Sequence, residues 1–287
     1  MWIHILEHVF MHTLEDTVKL LPFLFLTYWG MEYLENRAGH KTVDMLARTG
    51  KKGPLVGGIL GVVPQCGFSA AAANLYAGGV ITLGTMVAVF LSTSDEMLPV
   101  LISGQAKVEE ILLIVGAKVL IGIGAGLFVD FVVRKQNDGK QKGLHIQEIC
   151  EREHCHCNKG SILKSALVHC VRIIIFIFVF LLGINFVAEW IGMEQLVEMA
   201  ASYPFLSIFL VGLIGMIPNC AVSVAITTFY LEGVLSLGSM FAGLLSCAGI
   251  GIVILFKMNH NLKKNVMITC GIYGISVVSG ILMEMIV

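Results

Sequence analysis

Residues 61–92 read GVVPQCGFSAAAANLYAGGVITLGTMVAVFLS, and residues 215–246 read GMIPNCAVSVAITTFYLEGVLSLGSMFAGLLS. The two stretches align without a gap at a shift of 154 positions, and 14 of their 32 pairs are identical. Apolar composition alone would give only a few such matches, so we interpret the pair as an internal duplication. Identical pairs include Pro64/Pro218, Cys66/Cys220, Tyr76/Tyr230 and Ser92/Ser246.

The composition around the duplication is that of a membrane protein. Hydrophobic residues make up 56% of the 287, charged residues 14%, and the mean hydropathy is +0.85, whereas a soluble domain carries roughly 25% charged residues. Uncharged apolar stretches approach the ~20 residues that cross a hydrocarbon core about 30 Å thick. The N-terminus lacks the basic start of a cleaved signal peptide. A net charge of −1 gives no indication of nucleic-acid binding, and the eight cysteines form no secreted disulfide pattern.

These observations predict an all-α polytopic membrane protein with two repeats of about five helical segments each, some broken or re-entrant. Residues 1–134 form the first repeat, 135–163 a Cys/His-rich linker, and 164–287 the second repeat. The loop at 36–52 carries five Lys or Arg residues, while its counterpart at 188–204 carries none and has three Glu residues. The loops at 104–110 and 257–264 show the opposite bias. The positive-inside rule therefore predicts inverted repeats, a cytoplasmic linker and both termini outside.

Each half contains a Pro-x-Cys element inside an apolar run, and both elements predict a broken helix. Proline removes a backbone donor, and in lipid the freed carbonyls need partners from protein or from a wet cavity. Breaks at corresponding positions of two halves point to a transport site. We expect Gln65, Cys66, Asn219 and Cys220 to coordinate substrate there. The alternative is that both prolines are inherited kinks that only shape packing.

A second candidate element is Ser92-Thr93-Ser94-Asp95-Glu96, which lies between two apolar runs. Adjacent carboxylates at membrane depth need a proton, a partner or a cation, so Asp95 and Glu96 are the first candidates for ion or proton binding. The aligned stretch in the second half keeps Ser246 and Cys247 but lacks the acids. The alternative is a helix end in the headgroup region, with the acids capping the helix from Met97 onward.

Lys118 is the third anomaly, because it lies within the apolar run 111–133. One interpretation is that its side chain reaches to the outer interface. The other pairs it with Asp95 or Glu96 in the empty carrier. An entering cation would then displace the ammonium or release its proton, which couples transport to protons.

The linker carries a cluster of soft-metal ligands in a polar setting. Thiolate and imidazole suit Zn, Cu(I), Cd or trivalent arsenic better than Mg or Ca. The spacing matches no standard zinc finger, so we expect a flexible, low-affinity collector of metal ions; a redox-sensitive loop or a chance cluster are the alternatives. The ligands are Cys150, His154, Cys155, His156 and Cys157.

The Pro64-Gln-Cys-Gly-Phe-Ser element, the run from Ser92 to Glu96 and the Pro218-Asn-Cys repeat resemble the ten-helix heavy-metal exporter family. That family is related in name to arsenic permeases and is also labelled a manganese transporter. The resemblance covers nearly the whole chain. It implies a bacterial plasma-membrane exporter of a metal ion or metalloid, with a metal-ligand-rich central loop.

The leading prediction is secondary export of an inorganic cation (Mn²⁺, another heavy metal, or arsenite) by alternating access, with protons as counter-ion. The expected partners are the lipid bilayer, the ion, protons and a second copy in a dimer; no cofactor is expected beyond the metal as substrate. An anion or oxyanion carrier using Lys118 and half-helix N-termini is the alternative. An intramembrane enzyme is disfavoured, because His4, His8 and His12 lack an accompanying H-E-x-x-H motif.

Overall fold

The computed structural model describes residues 52–63, 67–94, 96–136, 162–191, 206–259 and 261–286, together with scattered helical positions between 10 and 29. In these ranges the chain is helical and contains no strand. The helices are α1 (Gly53–Leu60), α2 (Gly67–Ala77), α3 (Leu83–Ser92), α4 (Met97–Ser103), α5 (Val108–Gln136), α6 (Ile162–Ile191), α7 (Ser207–Gly215), α8 (Cys220–Leu231), α9 (Leu237–Ser246), α10 (Ile250–Met258) and α11 (Leu262–Ile286).

The duplication seen in the sequence has a counterpart in the packing. Helices α1 to α5 correspond in order to α7 to α11, and the bounds of α3 and α9 coincide at the 154-residue shift. Helix α3 packs against α1 and α5, as α9 packs against α7 and α11. The halves also interlock, because α2 packs against α10 and α8 packs against α4. Each half therefore contributes helices to the environment of the other.

Local interactions at the start of α3 and α9 are repeated as well. The hydroxyl of Thr82 accepts a hydrogen bond from Thr85 N and caps α3, and Ser236 accepts one from Ser239 N and caps α9. Such a cap satisfies one of the orphan donors of the first helical turn. The turn before each cap contains a glycine with φ of +75°, a left-handed conformation that glycine adopts without steric cost. The repeated sequence thus specifies the same turn and cap twice.

Four helical stretches of the described chain are long and apolar enough to cross a membrane: Leu83–Ser103, Val108–Val133, Leu237–Met258 and Leu262–Ile286. The first and third consist of the paired helices α3/α4 and α9/α10, and their most apolar 18 residues are 71% and 94% buried inside the protein. The second and fourth, which belong to α5 and α11, are only 22% and 33% buried. The paired helices therefore form the interior, while α5 and α11 present apolar side chains to the surroundings.

Broken helices occur in both halves, as predicted from the Pro-x-Cys elements. Helix α1 ends at Leu60 before α2 begins at Gly67, and α7 ends at Gly215 before α8 begins at Cys220. A second interruption separates α3 from α4 and α9 from α10. The second half has six described helices rather than about five, because α6 precedes the five that correspond to α1 to α5.

Candidate functional site

The two buried spans are both interrupted at a cluster of small polar residues. Helix α3 ends at Ser92, and Ser92, Thr93 and Ser94 are almost fully buried. Helix α9 ends at Ser246, which is fully buried, and Cys247 beside it is 4% exposed. In the middle of a membrane protein, such residues can interrupt a helix only where protein groups or a cavity satisfy the freed backbone.

The hydroxyls of the first cluster donate to their own backbone. Ser92 Oγ donates to the carbonyl of Ala88 at 2.8 Å, Thr93 Oγ1 to that of Val89 at 2.6 Å, and Ser94 Oγ to that of Ser92 at 3.3 Å. Their oxygen lone pairs remain available to accept. In contrast, the buried Ser246 Oγ has no hydrogen-bond partner.

Lys118 of α5 reaches the same region and contacts both halves. Its side chain is 1% exposed, and its Nζ donates to the carbonyl of Thr93 at 2.6 Å and to the carbonyl of Leu244 at 3.1 Å. The ammonium is therefore held in the interior by oxygens at the ends of α3 and α9 instead of reaching the outer interface. The expected pairing of Lys118 with Asp95 or Glu96 stays a prediction, and Asp95 lies outside the described residues.

The acidic pair of the first half is described only in part. Glu96 occupies the N-cap position of α4, but its side chain makes no capping hydrogen bond, and it is half-buried between the fully packed Ser94 and Met97. This position is inside a buried span, not at the end of one. The capping alternative for Glu96 therefore finds no support in the geometry.

The second Pro-x-Cys element begins a helix. Asn219 is 7% exposed, and its Oδ1 accepts a hydrogen bond from Ala221 N at 2.9 Å, so it caps α8. Cys220 follows as the first residue of α8, and its carbonyl accepts from Ser223 Oγ. The matching Gln65 and Cys66 lie outside the described residues, and substrate coordination by all four stays a prediction.

The break of the first half nevertheless approaches the polar cluster. A Cβ added to Gly61, directly after α1, would lie 2.1 Å from Ser92 Oγ. A Cβ on the corresponding Gly215 would lie 2.2 Å from the carbonyl of Gly243. The Pro-x-Cys breaks and the interruptions after α3 and α9 are thus neighbours within each half.

The predicted metal collector in the linker, Cys150, His154, Cys155, His156 and Cys157, also lies outside the described residues. Within the part of the chain that is described, no group of three or more His, Cys, Asp or Glu side chains is arranged to hold a metal ion. A cation in the described site would therefore meet mainly carbonyl and hydroxyl oxygens.

Two carboxylates that the sequence analysis missed join the outer helices to the inner ones. Asp130 of α5 accepts from Gly84 N at 2.8 Å and from Thr82 Oγ1 at 2.7 Å, both at the start of α3. Glu284 of α11 accepts from Gly238 N at the start of α9 at 2.9 Å. Both pairs are related by the 154-residue shift, so extending the sequence alignment toward the C-terminus would have found them.

Two contacts between the halves were missed as well. Tyr230 of α8 donates to Glu110 of α5 at 2.5 Å, and the ammonium of Lys264 in α11 lies 5.0 Å from the ring centroid of Tyr76 in α2. The two pairs are again equivalent at a shift of 154. In the sequence, the signal for these two contacts was that the equivalent positions Glu110 and Lys264 carry opposite charges.

Buried helices that are interrupted at polar groups, inside a shell of apolar helices, define the class of membrane transporters. The chain belongs to the family described as "Putative, 10TM heavy-metal exporter", whose model matches residues 7–186, more than half of its length. The resemblance inferred from the sequence is thereby confirmed. This family is thus one of transporters. No match was found among curated proteins or among solved structures.

Proposed function

We propose that this chain exports an inorganic metal cation or metalloid across a bacterial plasma membrane, by secondary transport with alternating access. The proposal is carried by one observation. Interrupted helices from both halves are buried in the interior, and Lys118 contacts α3 and α9 at the same time. Unwound backbone at such breaks supplies carbonyls that can replace the water around a cation. Membership in a family described as heavy-metal exporters supports the same function.

Alternating access is favoured when the two halves are inverted relative to each other. A first support for this inversion is that α5 ends near the start of α11. Asp130, close to the end of α5, bonds Gly84 at the start of α3. The chain turns tightly between Tyr76 and Gly84 through the left-handed Gly79, so Tyr76 lies at this same end. The ring of Tyr76 contacts Lys264, in the first turn of α11.

A second support is that α5 begins near the end of α11. Glu110, in the first turn of α5, bonds Tyr230, and the turn after Tyr230 leads to Gly238, which bonds Glu284 near the end of α11. Glu110 and Asp130 are 20 positions apart on one helix, or about 30 Å at 1.5 Å per residue. The connectivity thus supports antiparallel α5 and α11, as inverted repeats require.

The two contacts between the halves then have a role in the transport cycle. Tyr230–Glu110 joins the halves at one end of the bundle, and Tyr76–Lys264 joins them at the other. The loop charges assign the Glu110 end to the outside and the Lys264 end to the cytoplasm. Opening either contact alone would expose the central breaks to one side only, so we propose that they act as outer and inner gates.

The described oxygens favour a divalent cation such as Mn²⁺, since carbonyl, hydroxyl and carboxylate oxygens suit hard ions. The thiols of Cys220 and Cys247 favour a softer ion or arsenite. The oxygens carry more weight, because Cys247 is a single buried thiol beside the interrupted end of α9. Proton exchange is the coupling that we propose, through Lys118, Asp95 and Glu96.

The test is flux through the purified full-length protein in liposomes that contain a pH dye. The panel is Mn²⁺, Zn²⁺, Cd²⁺, arsenite and phosphate, with protein-free liposomes as control. We expect flux of at least one metal or of arsenite, with proton movement in the opposite direction. Metal flux without a pH change would remove the coupling alone. Absence of flux for every metal and for arsenite would overturn the proposed function.

One observation favours an anion or oxyanion carrier as second candidate, namely the fully buried positive charge of Lys118. An anion carrier predicts that Lys118→Met abolishes every mode of transport, while Asp95→Asn has little effect. A cation exporter predicts that Asp95→Asn and Glu96→Gln reduce metal-for-metal exchange more than Lys118→Met does. Phosphate flux in the panel, with these variants measured beside it, distinguishes the two.

A further inference from the structure

The ammonium of Lys118 sits between two carbonyl oxygens that belong to different halves of the molecule. It is 2.6 Å from the carbonyl of Thr93, at the end of α3, and 3.1 Å from the carbonyl of Leu244, in the last turn of α9. With 1% of its surface exposed, the side chain is enclosed by protein. The first half alone has a lysine here, because the equivalent residue of α11 is the buried Ile272.

Both carbonyls are available because the helices are interrupted beside them. In an uninterrupted helix the carbonyl of Thr93 would accept from Met97 N, but Met97 N donates to Ser94 instead. The carbonyl of Leu244 would likewise accept from Ala248 N, which donates to Ser246 instead. Carbonyls at a helix C-terminus carry partial negative charge. Two such ends, aimed at one point, make a site that selects a cation.

A buried hydroxyl lies close to Leu244 along the chain. Ser246, two residues beyond Leu244, is fully buried, and its Oγ has no hydrogen-bond partner. A buried hydroxyl without a partner is costly unless a ligand satisfies it in some state of the protein. Carbonyl and hydroxyl oxygens are ligands for hard divalent cations. No alternative cluster of acidic, His and Cys ligands exists among the described residues.

We propose that the ammonium of Lys118 is a tethered cation, which in the empty carrier occupies the oxygen site that the transported metal takes in the loaded carrier. The inference rests on the proposed export of a metal cation and identifies its site as the carbonyls of Thr93 and Leu244. Metal and ammonium exclude one another there. Because the ammonium contacts both halves, it satisfies the two carbonyls of the empty site while the halves change orientation.

A carrier without this lysine should therefore fail at one step only. In Lys118→Met the metal still binds the oxygens, and the carrier reorients in both directions with metal bound. Metal-for-metal exchange therefore persists. The empty site, left without a cation, no longer reorients, so net export stops. Binding of the metal itself becomes tighter, since no ammonium competes for the oxygens.

The experiment compares wild type, Lys118→Met, Lys118→Arg and the matched control Ile272→Met in liposomes, with radiolabelled Mn²⁺ and Cd²⁺ as probes. For Lys118→Met we expect net efflux to fall at least tenfold, exchange to stay within about twofold of wild type, and Mn²⁺ to bind more tightly. Lys118→Arg should retain part of the net efflux, and Ile272→Met should leave both modes unchanged. Equal loss of both modes in folded Lys118→Met, or weaker Mn²⁺ binding, would overturn the inference.

A measurement on the wild-type protein does not depend on the variants folding. Reductive methylation followed by mass spectrometry should modify Lys118 more with saturating Mn²⁺ than without, because the metal displaces the ammonium. Unchanged or lower modification contradicts the inference. Absence of flux for every metal cation of the panel in the wild type overturns the cation export and this inference together, whereas wild-type flux with both modes lost in Lys118→Met overturns this inference alone.

Discussion

At the end of α5 the carboxylate of Asp130 bonds the start of α3, and at the end of α11 the carboxylate of Glu284 bonds the start of α9. Such agreement between the halves extends to helix bounds, caps and turns. The halves differ in charge at three aligned positions: Lys118 aligns with Ile272, Asp95 with Gly249, and Glu110 with Lys264. The two halves therefore share one helical scaffold and differ in the charged residues that they carry on it.

The largest expected effect comes from moving the lysine to the other half. Lys118→Ile should lower net export by roughly 100-fold, since two buried carbonyls of the empty carrier lose their donor, at about 1–3 kcal/mol each. In Lys118→Ile/Ile272→Lys, the new ammonium should meet the carbonyls of Cys247 and Phe90, which are equivalent to those of Thr93 and Leu244. Part of the net export should return, as measured by metal efflux from liposomes. A folded double variant with no recovery would mean that the two positions are not equivalent.

Much of the scaffold could be predicted from the sequence, because turns, caps and breaks depend on local residue types. The duplication and the Pro-x-Cys breaks were visible as Pro64 and Pro218 in aligned apolar runs. The interruption between α9 and α10 was not predicted, because Cys247 and Ala248 resemble ordinary helix residues. Only Gly249, with φ of +52°, adopts an unusual conformation there.

Long-range partners were the part that sequence reasoning could not supply. Lys118 was singled out for its charge, but its contacts are main-chain carbonyls, which carry no residue-type signal. The bond of Asp130 to Gly84 crosses 46 positions, and nothing in a single helix pattern indicates it. The inner cluster was found because polar residues in apolar runs are conspicuous, whereas Asp130 and Glu284 lie near helix ends, where charges are ordinary.

The second prediction tests whether the helix contacts of the two halves are equally close. A Cβ on Gly126 of α5 would lie 2.4 Å from the carbonyl of Gly84, and one on Gly280 of α11 would lie 2.6 Å from that of Gly238. Gly126→Ala and Gly280→Ala should each destabilise the fold by about 1–3 kcal/mol, the usual cost of overpacking. Thermal unfolding in detergent measures the effect.

The same helices offer matched controls for these alanine substitutions. A Cβ on Gly124 or Gly274 would meet no atom within 4 Å, and alanine is favoured over glycine in a helix by up to about 1 kcal/mol. Gly124→Ala and Gly274→Ala should therefore leave the unfolding temperature unchanged or raise it. Equal losses at packed and open positions would contradict the close approach of α3 to α5 and of α9 to α11.

The third prediction concerns the two carboxylates that hold the starts of α3 and α9. Asp130→Asn should cost about 1–2 kcal/mol, because a buried side chain loses two charge-assisted hydrogen bonds. Glu284→Gln should cost less than about 1 kcal/mol, since Glu284 is exposed and accepts its hydrogen bond from Gly238 N at a helix N-terminus. Thermal unfolding of both variants at one ionic strength ranks them. A larger loss for Glu284→Gln would contradict the stronger anchoring of the first half.

The smallest expected effects come from the two contacts between the halves, and they separate the proposed gates from ordinary packing. Tyr230→Phe removes a hydrogen bond to Glu110, and Tyr76→Phe keeps the ring beneath Lys264, so it serves as the matched control. A bond of this kind contributes on the order of 1 kcal/mol, enough to shift a population of open states about fivefold. Thiol labelling of Cys220 and Cys247, which lie near the central breaks, should then become faster from the Glu110 end alone in Tyr230→Phe.

Lys264→Gln loses a cation–π contact worth about 0.5–1 kcal/mol and should quicken labelling from the opposite side. Equal acceleration from both sides in either variant would mean that the contact holds the halves together without gating them.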